Sequence, residues 1–132
     1  VKNKFSLNLA AKFAKAKSQL PQAVGSSAVN AFKESFRQQR FYSDNSDPWK
    51  RRKDKKDPGR AILVKTGRLR RSIRLRQASF EKILILSDVK YAAIHNEGLG
   101  KMPKRKFMGN STRLNKRINK VIQRFIREAL AA

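Results

Sequence analysis

Residues 62–73 read Ile62-Leu63-Val64-Lys65-Thr66-Gly67-Arg68-Leu69-Arg70-Arg71-Ser72-Ile73. An apolar run meets a Thr-Gly break, and a short basic stretch returns the chain to an apolar position. Just beyond it, Ile73, Leu75 and Gln77 alternate with Arg74 and Arg76, the period-two pattern of a half-buried strand. Thr66 is placed to N-cap one helical turn running to Arg71. Gly67 is placed to supply a backbone conformation that a side chain would obstruct. Leu69 and Ile73 are the expected anchors of the turn and strand in the core. Ala61 to Val64 reads either as a short strand or as the end of the preceding loop.

Working outward, Ala78 to Glu81 makes a turn and Ile83 to Leu86 a second strand, apolar on both faces and so expected to be central. The two strands form an antiparallel hairpin. Tyr91 to Ile94 is a further apolar patch, closed by Asn96-Glu97-Gly98. Met102 to Phe107 reads as a third strand, which Pro103 makes an edge strand or an irregular one. Tyr91, Ile94 and Phe107 are expected to pack near the sheet edge.

Upstream, Phe5, Leu9, Phe13 and Ala16 fall at helical spacing. Pro21 suits the first turn of a second helix, continued by Val24, Ala28, Ala31, Phe32 and Phe36 and ending near Phe41. Gly25 and the Ser26-Ser27 pair weaken its start. Downstream, Ser111 caps a last helix with Leu114, Ile118, Val121, Ile122, Phe125, Ala129 and Leu130 on one face. The order predicts a single α+β domain over 1–132. N-terminal helices (1–42) and a long C-terminal helix (111–132) pack against a small antiparallel sheet (61–110). A basic extended loop (43–60) separates the first helices from the sheet region.

The 132 residues carry 33 Lys+Arg against 9 Asp+Glu, a formal net charge of +24. Such an excess opposes compaction and self-association, and a polyanion relieves it. Nucleic acid, an anionic membrane and acidic protein surfaces are the partner classes this favours, in that order. There is no cysteine, which removes disulfides, thiolate metal sites and cysteine nucleophiles. No apolar run approaches the ~20 residues of a membrane span. The N-terminal segment is interrupted by Lys12, Lys15 and Lys17 and does not read as a signal peptide.

Catalytic patterns are lacking. His95 and Glu97 form a His-x-Glu pair, but the zinc deaminase signature also needs a Cys-x-x-Cys. His95 therefore reads as a structural residue at a strand end or subunit contact. Gly98-Leu99-Gly100-Lys101 fails as a phosphate loop, because the flanking positions hold His95 and Met102. No nucleophile elbow occurs. The chain reads as a non-enzyme with no cofactor and no metal.

The loop is different. Trp49 precedes Lys50, Arg51, Arg52, Lys53, Asp54, Lys55 and Lys56, six positive charges in seven residues. Such a run is either a solvated face or a contact for phosphates or a neighbouring subunit. No zinc finger, RRM box or helix-turn-helix is present, so a nucleic-acid contact here would be made to backbone.

Several landmarks now stand in order. They are Phe36 in a helix; Trp49 followed by Arg51-Arg52-Lys53; Ile62 to Ile73 around Thr66-Gly67; Tyr91-Ala92-Ala93-Ile94-His95-Asn96-Glu97-Gly98; and Met102-Pro103-Lys104-Arg105-Lys106-Phe107-Met108-Gly109. In this order the chain resembles the phage virion morphogenesis (tail completion) family, over about residues 30–130. Where that family has Pro-Ala-Arg-Pro-Phe, this chain carries the more basic Pro103 to Phe107 segment.

The resemblance implies a structural protein of the phage neck, acting in tail completion and head–tail joining. It implies a homo-oligomeric ring, hexameric or dodecameric, between the capsid connector and the tail. The implied neighbours are the portal or adaptor, the tail terminator and the tail tube. Genomic DNA passes through the channel, and assembly takes place in the host cytoplasm, with no membrane involved. Trp49 to Lys53, with Lys55 and Lys56, are the expected inter-subunit or DNA-facing arm. Thr66, Gly67, Leu69, Ile73, Tyr91, His95, Gly98, Pro103 and Phe107 are the expected structural motif. The competing reading, from composition alone, is a non-specific nucleic-acid binder of ribosomal or nucleoid type.

Overall fold

The computed structural model describes residues 3–53, 61–64 and 67–131. Six elements follow one another: α1 (Leu9–Gln38), α2 (Arg68–Ser72), β1 (Arg74–Ala78), β2 (Ile83–Leu86), α3 (Ala92–Glu97) and α4 (Thr112–Ala131). The fold is α+β, with a long N-terminal helix, a two-stranded antiparallel sheet and a long C-terminal helix.

The expected pair of N-terminal helices is corrected to one. α1 is continuous, is capped by the Asn8 side chain accepting Ala11 N–H at 3.1 Å, and carries Pro21 in its interior. A proline there removes one backbone hydrogen bond and costs about 3 kcal/mol in an isolated helix. Here Pro21 is buried, and Ala16, Val24, Ala28 and Val29 of the same helix are buried with it, so packing offsets the loss. Gly25 has a packing reason too. A Cβ at that position would stand 2.6 Å from Leu75 Cδ1, so the glycine lets β1 lie directly on the helix. The helix stops at Gln38 and not near Phe41, because Gln39 turns left-handed at φ 58°.

α1 is the central element. The hairpin rests on it, and α4 runs antiparallel along it. At one end Arg113 reaches Gln38, and at the other Phe125 and Ala129 lie beside Lys12 and Ala16. Arg117 Nε donates to Ser27 Oγ at 2.9 Å and its Nη1 lies 3.7 Å from Glu34. Arg113 also covers the Tyr42 ring, 4.1 Å from its centroid. α4 opens as expected, with Ser111 Oγ accepting Leu114 N–H at 3.0 Å, and it buries Leu114 and Ala129. Leu130 is exposed.

The sheet is smaller than the pattern suggests. Among the described residues β2 pairs only with β1, so it is not central, and Ile83 is exposed. A bulge between Leu75 and Gln77 resets the alternation, which turns Gln77 outward and half-buries Ala78. The expected third strand is absent among the described residues: 103–107 is irregular chain held by side chains. Tyr91 to Ile94 opens α3, and Ala61 to Val64 is a turn. Thr66 lies outside the described residues. α2 opens on Gly67, whose φ of 72° lies in the left-handed region. Leu69 and Ile73 are buried anchors, as expected.

Candidate functional site

The core and the basic loop meet at the end of α1. The Gln39 carboxamide is fastened to residue 62 on both sides. Its Nε2 donates to Ile62 O at 3.2 Å, and its Oε1 accepts Ile62 N–H. The Gln39 carbonyl accepts Trp49 N–H at 2.8 Å. The long loop is therefore pinned at its base, with Trp49 returned against the helix it left.

Trp49 stands edge-on to Phe36, ring centroids 5.5 Å apart, and Phe36 packs on Phe107 at 5.2 Å. Phe107 is wholly buried and Trp49 is 6% exposed. The expectation of an outward-facing Trp49 is thus corrected. An indole is the largest apolar side chain, and here its N–H is also satisfied internally by Lys106 O at 2.9 Å. Phe107 belongs to this cluster and not to the sheet edge, while Tyr91 and Ile94, at α3, are each 38% exposed.

Two polar residues hold the irregular segment in place of a third strand. Asn96 Oδ1 accepts the backbone N–H groups of Phe107 and Met108, at 2.9 and 3.0 Å. Its Nδ2 donates to Met108 O at 3.3 Å. The side chain thus replaces a strand partner, satisfying main-chain groups that would otherwise be buried unpaired. Arg105 is 6% exposed and reaches the other way. Its Nε and Nη2 donate to Lys50 O at 3.1 and 2.9 Å, and Nη2 also approaches Arg51 O at 3.4 Å. Carbonyl dipoles stand where a carboxylate would be expected. Burial, and then the Arg52 charge, lower the Arg105 pKa.

Gly98 ends α3 with φ 70°, and the chain folds straight back over it. A Cβ at Gly98 would meet the backbone of Lys104 at 2.8 and 2.9 Å. His95 lies beneath this fold. Its carbonyl accepts Arg105 N–H at 2.8 Å, and its ring stands edge-on to Tyr91. Its buried Nδ1 has no hydrogen-bond partner among the described residues. Burial, and then the Arg105 charge, lower its pKa. A neutral, enclosed imidazole suits a packing role.

These contacts shape an open cleft of about 580 Å³ between residues 50–53 and 100–105. Lys50, Arg51, Arg52 and Lys53 form one wall; Gly100, Lys101, Met102, Pro103 and Arg105 form the other. The structure therefore joins the basic loop to the Pro103 to Phe107 segment, two stretches that the sequence leaves unconnected. Lys55 and Lys56, also expected in the arm, lie outside the described residues. The sequence pattern does not mark Asn96 and Arg105 as individual site residues. The signal for both was their place inside the landmark segments, next to His95 and two residues after Pro103.

A sequence model of the phage virion morphogenesis family matches residues 3–127. The chain belongs to the phage virion morphogenesis family. The match runs from before α1 to near the end of α4, so the family unit is the whole fold described above. This makes the protein a phage virion assembly protein and a virion component. Trp49, Leu69, Ile73, Gly98, Arg105 and Phe107 are then this family member's internal scaffold. No curated protein and no solved structure gives a significant match. No helix among the described residues is long and apolar enough to cross a membrane.

Proposed function

We propose that the protein is a structural, non-catalytic subunit of the phage neck. It completes the tail and joins it to the head as a ring of six or twelve copies around the DNA path. Portal or adaptor proteins lie on one side, and the tail terminator and tail tube on the other. It is made and assembled in the host cytoplasm.

The observation that carries the proposal is a surface that one chain leaves uncovered. Tyr91, Ile94, Leu99 and Met102 stay exposed on α3 and the turn after it, next to the basic cleft. Large apolar side chains gathered this way mark a protein interface. A ring offers the neighbours that cover them. Family membership in virion assembly sets aside the ribosomal or nucleoid alternative.

The test is a joining assay. Phage lacking the protein should accumulate DNA-filled heads and full-length tails that do not join them, and purified protein added to the extract should restore infectious particles. Normal joining without the protein, or a defect confined to capsid shape or tail length, would overturn the proposal.

A further inference from the structure

Of the nine residues lining the cleft between 50–53 and 100–105, six are Lys or Arg, and none is Asp or Glu. Folding therefore concentrates cations that ordinary electrostatics would spread apart. The concentration is built in, because Arg105 is a buried side chain that grips the opposite wall through the Lys50 carbonyl. Its Nε and Nη2 are both spent on that grip, which fixes the guanidinium across the cleft. At Gly100 nothing lies within 4 Å of where a Cβ would be, so the wall there is open backbone.

We infer that this cleft binds the phosphodiester backbone of duplex DNA. Arg105 positions the two walls, and Lys50, Arg51, Lys53 and Lys101 supply charge to neighbouring phosphates. The cleft has room for several phosphate groups, and every charged side chain on its walls is a cation. Elsewhere on the surface α4 exposes further cations, Lys116, Lys120, Arg124 and Arg127, of which Lys116 and Arg124 have Asp44 and Glu128 beside them. A uniformly charged polymer matches that spread better than a local acidic patch does. No base-reading element accompanies it, so binding is independent of sequence.

This inference extends the neck reading, which supplies the DNA, yet the isolated protein tests it apart from joining. The assay titrates the full chain onto labelled random-sequence duplex DNA across a salt series. Two double variants of equal charge are compared: Lys53→Ser with Lys101→Ser in the cleft, and Lys120→Ser with Arg127→Ser on α4. All four side chains are exposed, so folding is preserved, and circular dichroism checks it.

The cleft variant should weaken binding at least tenfold. It should also flatten the slope of log K against log salt by about 1.8, the contribution of two phosphates. The α4 variant should change the slope by less than half as much. Equal effects of the two variants would overturn the site, since they would mean diffuse attraction alone. So would absent DNA binding, or cleft-dependent binding of a poly-glutamate peptide in its place. Any of these results leaves the joining assay free to succeed.

Discussion

The indole Nε1 of Trp49 donates to the backbone carbonyl of Lys106 at 2.9 Å, linking the basic loop to the segment before α4. The bond is the polar end of a ring otherwise buried on Phe36. Trp49→Phe keeps most of the packing and leaves that carbonyl without its donor, which costs about 1–3 kcal/mol. Trp49→Ala also removes the ring, at about 3–5 kcal/mol. Urea unfolding should rank wild type above Phe and Phe above Ala. A Phe variant as stable as wild type would show that the bond holds nothing.

Asn96 does the work of a missing strand. Asn96→Ala strips the acceptor from two backbone N–H groups and should destabilise by about 2 kcal/mol or more. Asn96→Asp keeps an acceptor and loses only the Nδ2 donor, so its cost should be smaller. In hydrogen exchange, the Phe107 and Met108 amides should lose protection in the Ala variant before the amides of α1 do.

Gly98 and Gly100 are both left-handed, at φ 70° and 64°, but only Gly98 has backbone against it. Gly100→Ala should cost about 1 kcal/mol, the conformational penalty alone. Gly98→Ala adds overlap with Lys104 and should cost clearly more. Thermal melts of the two variants compare them directly, and equal shifts would contradict the close approach.

His95 gives the fold an acid sensitivity of definite sign. Its folded pKa lies below the ordinary 6.5, because burial and then Arg105 oppose its charged form. The unfolded chain therefore takes up the proton first as pH falls. Stability is full above about pH 6.5 and declines as pH drops from there through the folded pKa, by at most about 1.4 kcal/mol per pH unit. In His95→Gln, the difference between urea midpoints at pH 7.5 and 5.5 should shrink. An unchanged difference would assign the sensitivity to other groups.

Much of this was legible in the residues, for reasons that differ along the chain. α4 shows its face over twenty residues, long enough for a helical period to stand out. Leu69 and Ile73 bracket a basic turn, and Gly67 announces a left-handed backbone. Pro21 misled, because a proline signals a helix start unless buried neighbours stabilise it in place. Tyr91 to Ile94 is too short to distinguish a helix from a strand. Met102 to Phe107 has strand character, but its backbone is held by the side chain of Asn96, the indole of Trp49 and the His95 carbonyl at the end of a short helix. Side-chain-to-backbone bonds across tens of residues leave no periodic trace. Trp49 sits among charged neighbours in the sequence, which hides its burial, and nothing in the local pattern sets Arg105 apart from the cations around it.

The central claim is the place of this subunit in the particle. A cryo-EM map of the assembled virion tests it most directly. The account predicts a closed ring of this chain between the capsid connector and the tail tube. In that ring Tyr91, Ile94, Leu99 and Met102 are covered by neighbouring protein, and the cleft between 50–53 and 100–105 is turned toward the DNA. Density for this chain in the capsid shell or at the distal tail tip, or no ring at the neck, would contradict it.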